Sequence, residues 1–193
     1  MTANFARFRV TICGIPELDE HCAAGVTHVL SILDPEWDDP PAFALFPPHR
    51  RLALRFNDII EPMPERLAPS RADVERLLAF GRELSEAEGS HLLVHCHAGV
   101  SRSTASAALI LAQAHPDRPA VEVLDAVAQM RPRAWPNLRI LELGDALLGR
   151  HGEIIAAAGA IYRRVLDREP QFQEAMIDNG RAREVIAALA TAR

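Results

Sequence analysis

His91-Leu92-Leu93-Val94-His95-Cys96-His97-Ala98-Gly99-Val100-Ser101-Arg102-Ser103-Thr104-Ala105-Ser106 reads as a short apolar strand, a tight loop and a helix of small residues. Leu92 to Val94 form the strand, Gly99 lets the backbone approach an anion, and Arg102 opens the helix. A strand that stops at Cys96 and a helix that starts near Arg102 turn the intervening amides inward. The helix dipole adds partial positive charge at the same place. Such a nest accepts a tetrahedral anion and favours the thiolate form of a cysteine beneath it. Cys96 is therefore the candidate nucleophile.

Outward from this segment, strand and helix patterns alternate. Phe8, Val10 and Ile12 alternate with Arg9 and Thr11, which predicts a half-buried strand. Residues 16–24 predict a short helix closed by Gly25, residues 26–33 a second strand, the Pro-rich residues 34–48 a loop, and residues 52–56 a third strand. Ser70 with Asp73 three residues on marks the start of a long amphipathic helix that carries Val74, Leu77, Leu78 and Leu84 and ends by Gly89. Beyond the Cys96 loop, helices are predicted at Arg102–Ala114, Ala120–Met130 and Leu138–Leu148, with Asn137 as a cap, and two more between Glu153 and Ala190. This order implies an α/β fold with a mainly parallel central sheet flanked by helices. Ligands of such sheets bind beyond the carboxyl ends of the strands, where Cys96 sits.

The spacing Cys-x5-Arg carries little weight alone, because 21 of the 193 residues are arginine and none is lysine. Its surroundings decide. Asp19 stands six residues after Cys13 and His28 six after Cys22, so only Cys96 meets the pattern. The stretch His95 to Ser103 resembles the His-Cys-x-x-Gly-x-x-Arg-Ser/Thr signature of the cysteine-dependent protein tyrosine phosphatases. Its Ala-Gly-Val-Ser-Arg-Ser wording is closest to the dual-specificity branch. The resemblance covers residues 8 to about 149. It implies a phosphatase-like α/β domain over residues 1–150; residues 151–193 lie beyond the resemblance and are expected to form a C-terminal helical extension packed on the core or at a dimer interface. It also implies a phosphomonoesterase that hydrolyses phosphotyrosine in proteins, with phosphoserine and phosphothreonine as further substrates, through a phosphocysteine and without cofactor or metal.

In that chemistry Arg102 forks two hydrogen bonds to non-bridging oxygens, a geometry lysine cannot reproduce. The amides of His97, Ala98, Gly99, Val100, Ser101 and Arg102 complete the phosphate cradle. The resemblance assigns Ser103 to a hydrogen bond with the cysteine sulfur and His95 to orienting the loop. A departing alkoxide or phenoxide needs a proton, and Asp58 is the candidate donor, because it follows the third strand and emerges at the same sheet edge as Cys96. Its spacing of 38 residues from Cys96 is long for a compact dual-specificity enzyme, so Glu61, Glu65 and Asp34 remain competitors. Asn137 in Trp-Pro-Asn-Leu matches a Pro-Asn of the same family, although a helix cap accounts for it. Trp37 and Trp135 are assigned to loop or core packing, with the border of the substrate cleft as the lesser alternative, and His97 to a loop side chain that points to solvent or substrate. His91, His95 and His97 lack metal-ligand spacing, so no metal site is read.

A formal charge of −5 and a pI near 5.9 offer no general attraction to nucleic acid or to an anionic membrane. With 49% hydrophobic residues the chain has material for one globular core. Neither a signal peptide nor a run long enough to span a bilayer is read, which leads to the expectation of a cytoplasmic protein. Three irregularly spaced cysteines make no disulfide framework. Cys13 and Cys22 are expected as small buried residues, with a reversible protective disulfide to Cys96 as the lesser alternative. The apolar faces of the last helices are expected to pack on the core or to form a homodimer. Competing functions are the same chemistry on inositol phosphates or other small phosphate esters, a rhodanese-like sulfur transferase, and a phosphate-binding scaffold with a weakly active or inactive phosphatase fold.

Overall fold

The computed structural model describes residues 8–86 and 89–191. Strands β1 (Arg9–Gly14), β2 (His28–Leu33), β3 (Arg50–Arg55) and β4 (His91–Cys96) form one all-parallel sheet in the order β1-β4-β2-β3. Helices α1 (Arg71–Glu86), α2 (Arg102–Ala114), α3 (Ala120–Met130), α4 (Leu138–Leu148), α5 (Glu153–Arg168), α6 (Phe172–Asp178) and α7 (Ala182–Ala190) complete the α/β fold. β4 is buried at every position because it has a strand on each edge and apolar layers on both faces. Its last residue is Cys96, so the parallel arrangement places the ends of β1, β2 and β3 beside the same loop.

The two faces of the sheet are covered differently. Leu30, Ile32, Leu54, Leu92 and Val94 join residues from α1 to α5 and α7 in the larger core, which also contains Cys96. Cys13, Val29 and Leu93 point the other way and meet Leu18 and Phe46. Leu18 belongs to a 3-10 helix over Ile15–His21, where the sequence suggests an α-helix over residues 16–24. Glu17 explains the tighter turn, since its carboxylate reaches back to the Gly14 N–H at 2.6 Å. Residues 34–48 hold a second 3-10 turn, Pro41–Leu45, inside the expected loop.

Ser70 and Asp73 form the expected reciprocal cap of α1: the Asp73 N–H donates to the Ser70 hydroxyl at 3.2 Å and the Ser70 N–H to the Asp73 carboxylate at 3.0 Å. Caps of this kind contribute about 1 kcal/mol. Three helices, rather than two, follow residue 152. Pro170 has no N–H with which to continue α5, and Gly180, at φ +72°, separates α6 from α7. Ile154, Ile161, Val165 and Val185 from these helices are buried in the chain's own core, whereas Ile177, Ile186 and Leu189 face outward. No helix among the described residues is long and apolar enough to cross a membrane.

Candidate active site

The loop between β4 and α2 is held by its carbonyl groups. The Ile15 N–H donates to His97 O, the Arg131 guanidinium to Ala98 O and Gly99 O, the Trp135 N–H to Val100 O and the Asn137 N–H to Ser101 O. With five consecutive carbonyls tied outward, the N–H groups of residues 97–101 donate to no other described residue and are left for an anion. Gly99 is required here: its φ is +71°, and a Cβ would lie 2.5 Å from the Cys13 carbonyl carbon. Backbone of β1 therefore packs directly on backbone of the loop.

Arg131 and Glu17 act as a clamp that sequence patterns did not reveal. The pair is bidentate, at 2.8 and 2.7 Å, and Glu17 also accepts the Gly14 N–H. One guanidinium thus ties α3, the first 3-10 turn and two loop carbonyls together. Arg131→Met is expected to weaken vanadate inhibition by about tenfold, equivalent to roughly 1.4 kcal/mol, by loosening the loop. Unchanged vanadate affinity would remove this role.

Cys96 Sγ lies 3.3 Å from Ser103 Oγ, and both residues are buried. Arg102 is 3% exposed and its Nη1 donates to Phe56 O at 2.7 Å and to Asp34 Oδ1 at 2.5 Å. Its buried Nε has no partner among the described residues, so one edge of the fork is free for a ligand oxygen. Asp34, from sequence a competing candidate for the proton donor, is the ion-pair partner of Arg102. His97 lines the cavity that holds Cys96, the substrate-facing one of its two expected orientations. Its Nε2 accepts the Asp34 N–H at 3.2 Å and its ring lies 4.3 Å from that of Trp37, which covers it. Burial, followed by the Arg102 charge, lowers the His97 pKa.

His95 is fully buried, with Nδ1 3.4 Å from the Cys96 carbonyl oxygen and its ring against Phe43. Burial holds its pKa down to about 4, so it is neutral at physiological pH. Cys13 lies on the opposite face of the sheet from Cys96, and all three cysteines are free. Burial and Glu17 push the Cys13 thiol up to about 12, which makes it a poor partner for disulfide exchange.

Asp58 shares one cavity, of about 330 Å³, with Cys96, Arg102, Trp135 and Arg181. Its Oδ1 accepts from the Ser101 hydroxyl and from Asn137 Nδ2, each at 2.8 Å, and lies 3.4 Å from Arg181 Nη1. Protein surrounds the carboxylate, yet its side chain keeps 30% of its accessibility through the cavity. Burial pushes its pKa up, but Arg181, Arg102, Asn137 and Ser101 together outweigh this and hold it below the ordinary aspartate value. Asn137 is thus more than a cap: Oδ1 accepts the Ile140 N–H while Nδ2 holds Asp58. The competitors lie elsewhere, Glu61 in an ion pair with Arg183 and Glu65 exposed. Trp135 is fully buried against Tyr162, with Nε1 donating to Glu184. Arg181 and Glu184, both from the last helical segment, escaped sequence reasoning because no local pattern marks them.

Known proteins share this fold. The family model described as PTP-SAK, Swiss Army Knife protein, DSP-PTPase phosphatase domain, matches residues 8–142. Among solved structures, human DUSP28 is similar over 73% of this chain and 94% of its own, with 20% identity and a TM-score of 0.55. PTPMT1 in complex with PI(5)P is similar over 81% and 97%, with 18% identity and a TM-score of 0.56. A mouse putative dual specificity phosphatase complexed with zinc tungstate is similar over 80% and 90%, with 19% identity and a TM-score of 0.55. No curated protein matches the sequence.

Proposed function

Because the chain belongs to the PTP-SAK family of dual-specificity-type phosphatase domains, and so to the cysteine phosphatases, we propose that it hydrolyses phosphomonoesters through a phosphocysteine on Cys96, with phosphotyrosine in proteins as the preferred substrate. The observation that carries this reading is the loop itself: a buried sulfur 3.3 Å from a hydroxyl, under outward-tied carbonyls and beside an arginine with a free Nε. The Cys96 sulfur attacks phosphorus while the ester oxygen departs, and Asp58 donates the proton that the oxygen needs. The loop amides and Arg102 stabilise the charge on the three remaining oxygens. In the second step Asp58 takes a proton from water as it attacks phosphorus, and the Ser103 hydroxyl stabilises the departing sulfur. Asp34 and Phe56 O hold Arg102 in register for both steps.

The walls of the cavity support an aryl ester over a polyol. Val100, Trp135, Val165, Phe172 and Met176 give the cavity a continuous apolar wall that suits a phenyl ring, while Ser101, Arg181 and Asp58 use their polar atoms on one another and Arg133 is paired with Glu169. The sulfur-transfer reading has no use for Asp58 or Ser103, and a pure phosphate-binding scaffold has none for the nucleophile. The free thiols suit the reducing cytoplasm. The surface a homodimer would use is the outer face of α6 and α7, where Ile177, Ile186 and Leu189 are exposed. The test is a panel of phosphopeptides, inositol phosphates and a simple aryl phosphate, with the Cys96→Ser variant as blank. Phosphotyrosine and aryl esters are expected to turn over fastest, with vanadate inhibiting in the absence of added metal. Faster release of phosphate from inositol phosphates would overturn the substrate class, and equal rates in the blank would overturn the chemistry.

A further inference from the structure

The region matched by the family model ends at residue 142, yet a guanidinium from residue 181 reaches the centre of the site. Arg181 precedes α7 and its side chain is 7% exposed. Nη2 donates to the Ser101 hydroxyl at 2.9 Å, and that hydroxyl donates to Asp58 at 2.8 Å; Nη1 lies 3.4 Å from the same carboxylate oxygen. Arg181 therefore grips Asp58 both directly and through a residue of the phosphate loop.

Its own position is over-determined. Glu184, with no exposed side-chain surface, receives Nε and Nη2 of Arg181, each at 2.7 Å. The same carboxylate accepts Trp135 Nε1 at 2.5 Å and the Leu138 N–H at 2.9 Å. Those two donors flank Asn137, whose Nδ2 makes the remaining bond to Asp58. A buried charge pair satisfied on this many sides is costly to disturb and holds its geometry firmly. A packing role alone would be met by apolar residues, whereas this network ends on the carboxylate beside the nucleophile.

We propose that Arg181 is a positioning residue for the proton donor, so that the C-terminal helices complete the catalytic site as well as covering the core. The inference rests on the reading of Asp58 as that donor. Asp58 donates only when protonated, and Arg181 favours its ionised form. The other groups facing Asp58 are Arg102, Ser101 and His97 from the loop side, Asn137 before α4 and the buried Tyr162 of α5. None of these groups is removed when Arg181 is replaced, so the alkaline fall in rate should move to higher pH.

The test uses the full chain and two aryl phosphates, one whose leaving group departs readily as an anion and one, phenyl phosphate, that needs a proton. Arg181→Met alone strands Glu184, so it is combined with Glu184→Gln, and Arg181→Lys serves as the conservative variant. The double variant is expected to lose about 10²-fold on phenyl phosphate, the scale of a misplaced catalytic group, and less than about threefold on the activated ester. Its alkaline limb should move upward in pH, Arg181→Lys should restore the limb, and adding the pair to Asp58→Asn should cause little further loss. Equal losses on both esters with an unmoved pH profile, or additive loss on top of Asp58→Asn, would overturn the inference alone. If Asp58→Asn itself spares phenyl phosphate, the donor assignment fails and the inference fails with it.

Discussion

Replacing Cys96 by serine is expected to lower turnover of an aryl phosphate by about 10⁴-fold or more while leaving the fold intact. The exchange of sulfur for oxygen changes volume little in a residue that is 2% exposed, so the packing around β4 persists. What is lost is the nucleophile, since a serine hydroxyl needs a neighbouring base. Ser103, whose hydroxyl lies 3.3 Å from the sulfur, is no base, His95 bonds the Cys96 carbonyl, and His97 Nε2 is taken by the Asp34 N–H. The phosphate cradle depends on outward-tied carbonyls and on Arg102, neither of which the substitution touches. The variant should therefore still bind a phosphotyrosine peptide, measurable by calorimetry, while phosphate release disappears. Retention of more than about 1% of turnover would exclude Cys96 as nucleophile. Complete loss of peptide binding would show instead that the sulfur shapes the cradle.

The loop was legible because its chemistry is contiguous. Strand, cysteine, glycine, arginine and helix start follow one another within a dozen residues, and each imposes its own geometry on the next. Asp58 was legible for a different reason. In an all-parallel sheet every strand ends at the same edge, so a carboxylate just after β3 must emerge near the end of β4, whatever the spacing in sequence. The clamp between Arg131 and Glu17 joins residues more than a hundred positions apart, and nothing local distinguishes Arg131 from the other twenty arginines. Arg181 was hidden in the same way, because its partners Ser101 and Asp58 come from two other parts of the chain. Asn137 was half legible: the cap is a local bond, whereas the bond to Asp58 is not. Two helices were legible between Glu153 and Ala190, one on each side of Pro170; the turn at Gly180 that divides the second into α6 and α7 was not, because the apolar residues Phe172, Ile177, Val185 and Leu189 run on across it.

Asp58→Asn provides the sharper test of mechanism, because its effect should depend on the leaving group. For phenyl phosphate or an alkyl phosphate, loss of the donor is expected to cost about 10²–10⁴ in rate. For an ester whose leaving group departs readily as an anion, the loss should be far smaller. Asparagine preserves the shape and can keep one bond, since Ser101 Oγ can still donate to the amide oxygen. It cannot supply a proton. The sign of the pH dependence follows from the environment of Asp58, where burial raises its pKa but Arg181, Arg102, Asn137 and Ser101 lower it further, to below the ordinary aspartate value. In the free enzyme the protonated donor is therefore populated at acid pH and depleted as pH rises. kcat/KM for phenyl phosphate should peak on the acid side of neutrality and fall with increasing pH, and the variant should lose that fall. A bound phosphate dianion adds negative charge near Asp58 and favours its protonated form, so the fall in kcat should lie at higher pH than the fall in kcat/KM. Should the alkyl-phosphate rate stay unchanged in Asp58→Asn, the donor is another group. Asp34, already 2.5 Å from Arg102, would then be the carboxylate to replace next.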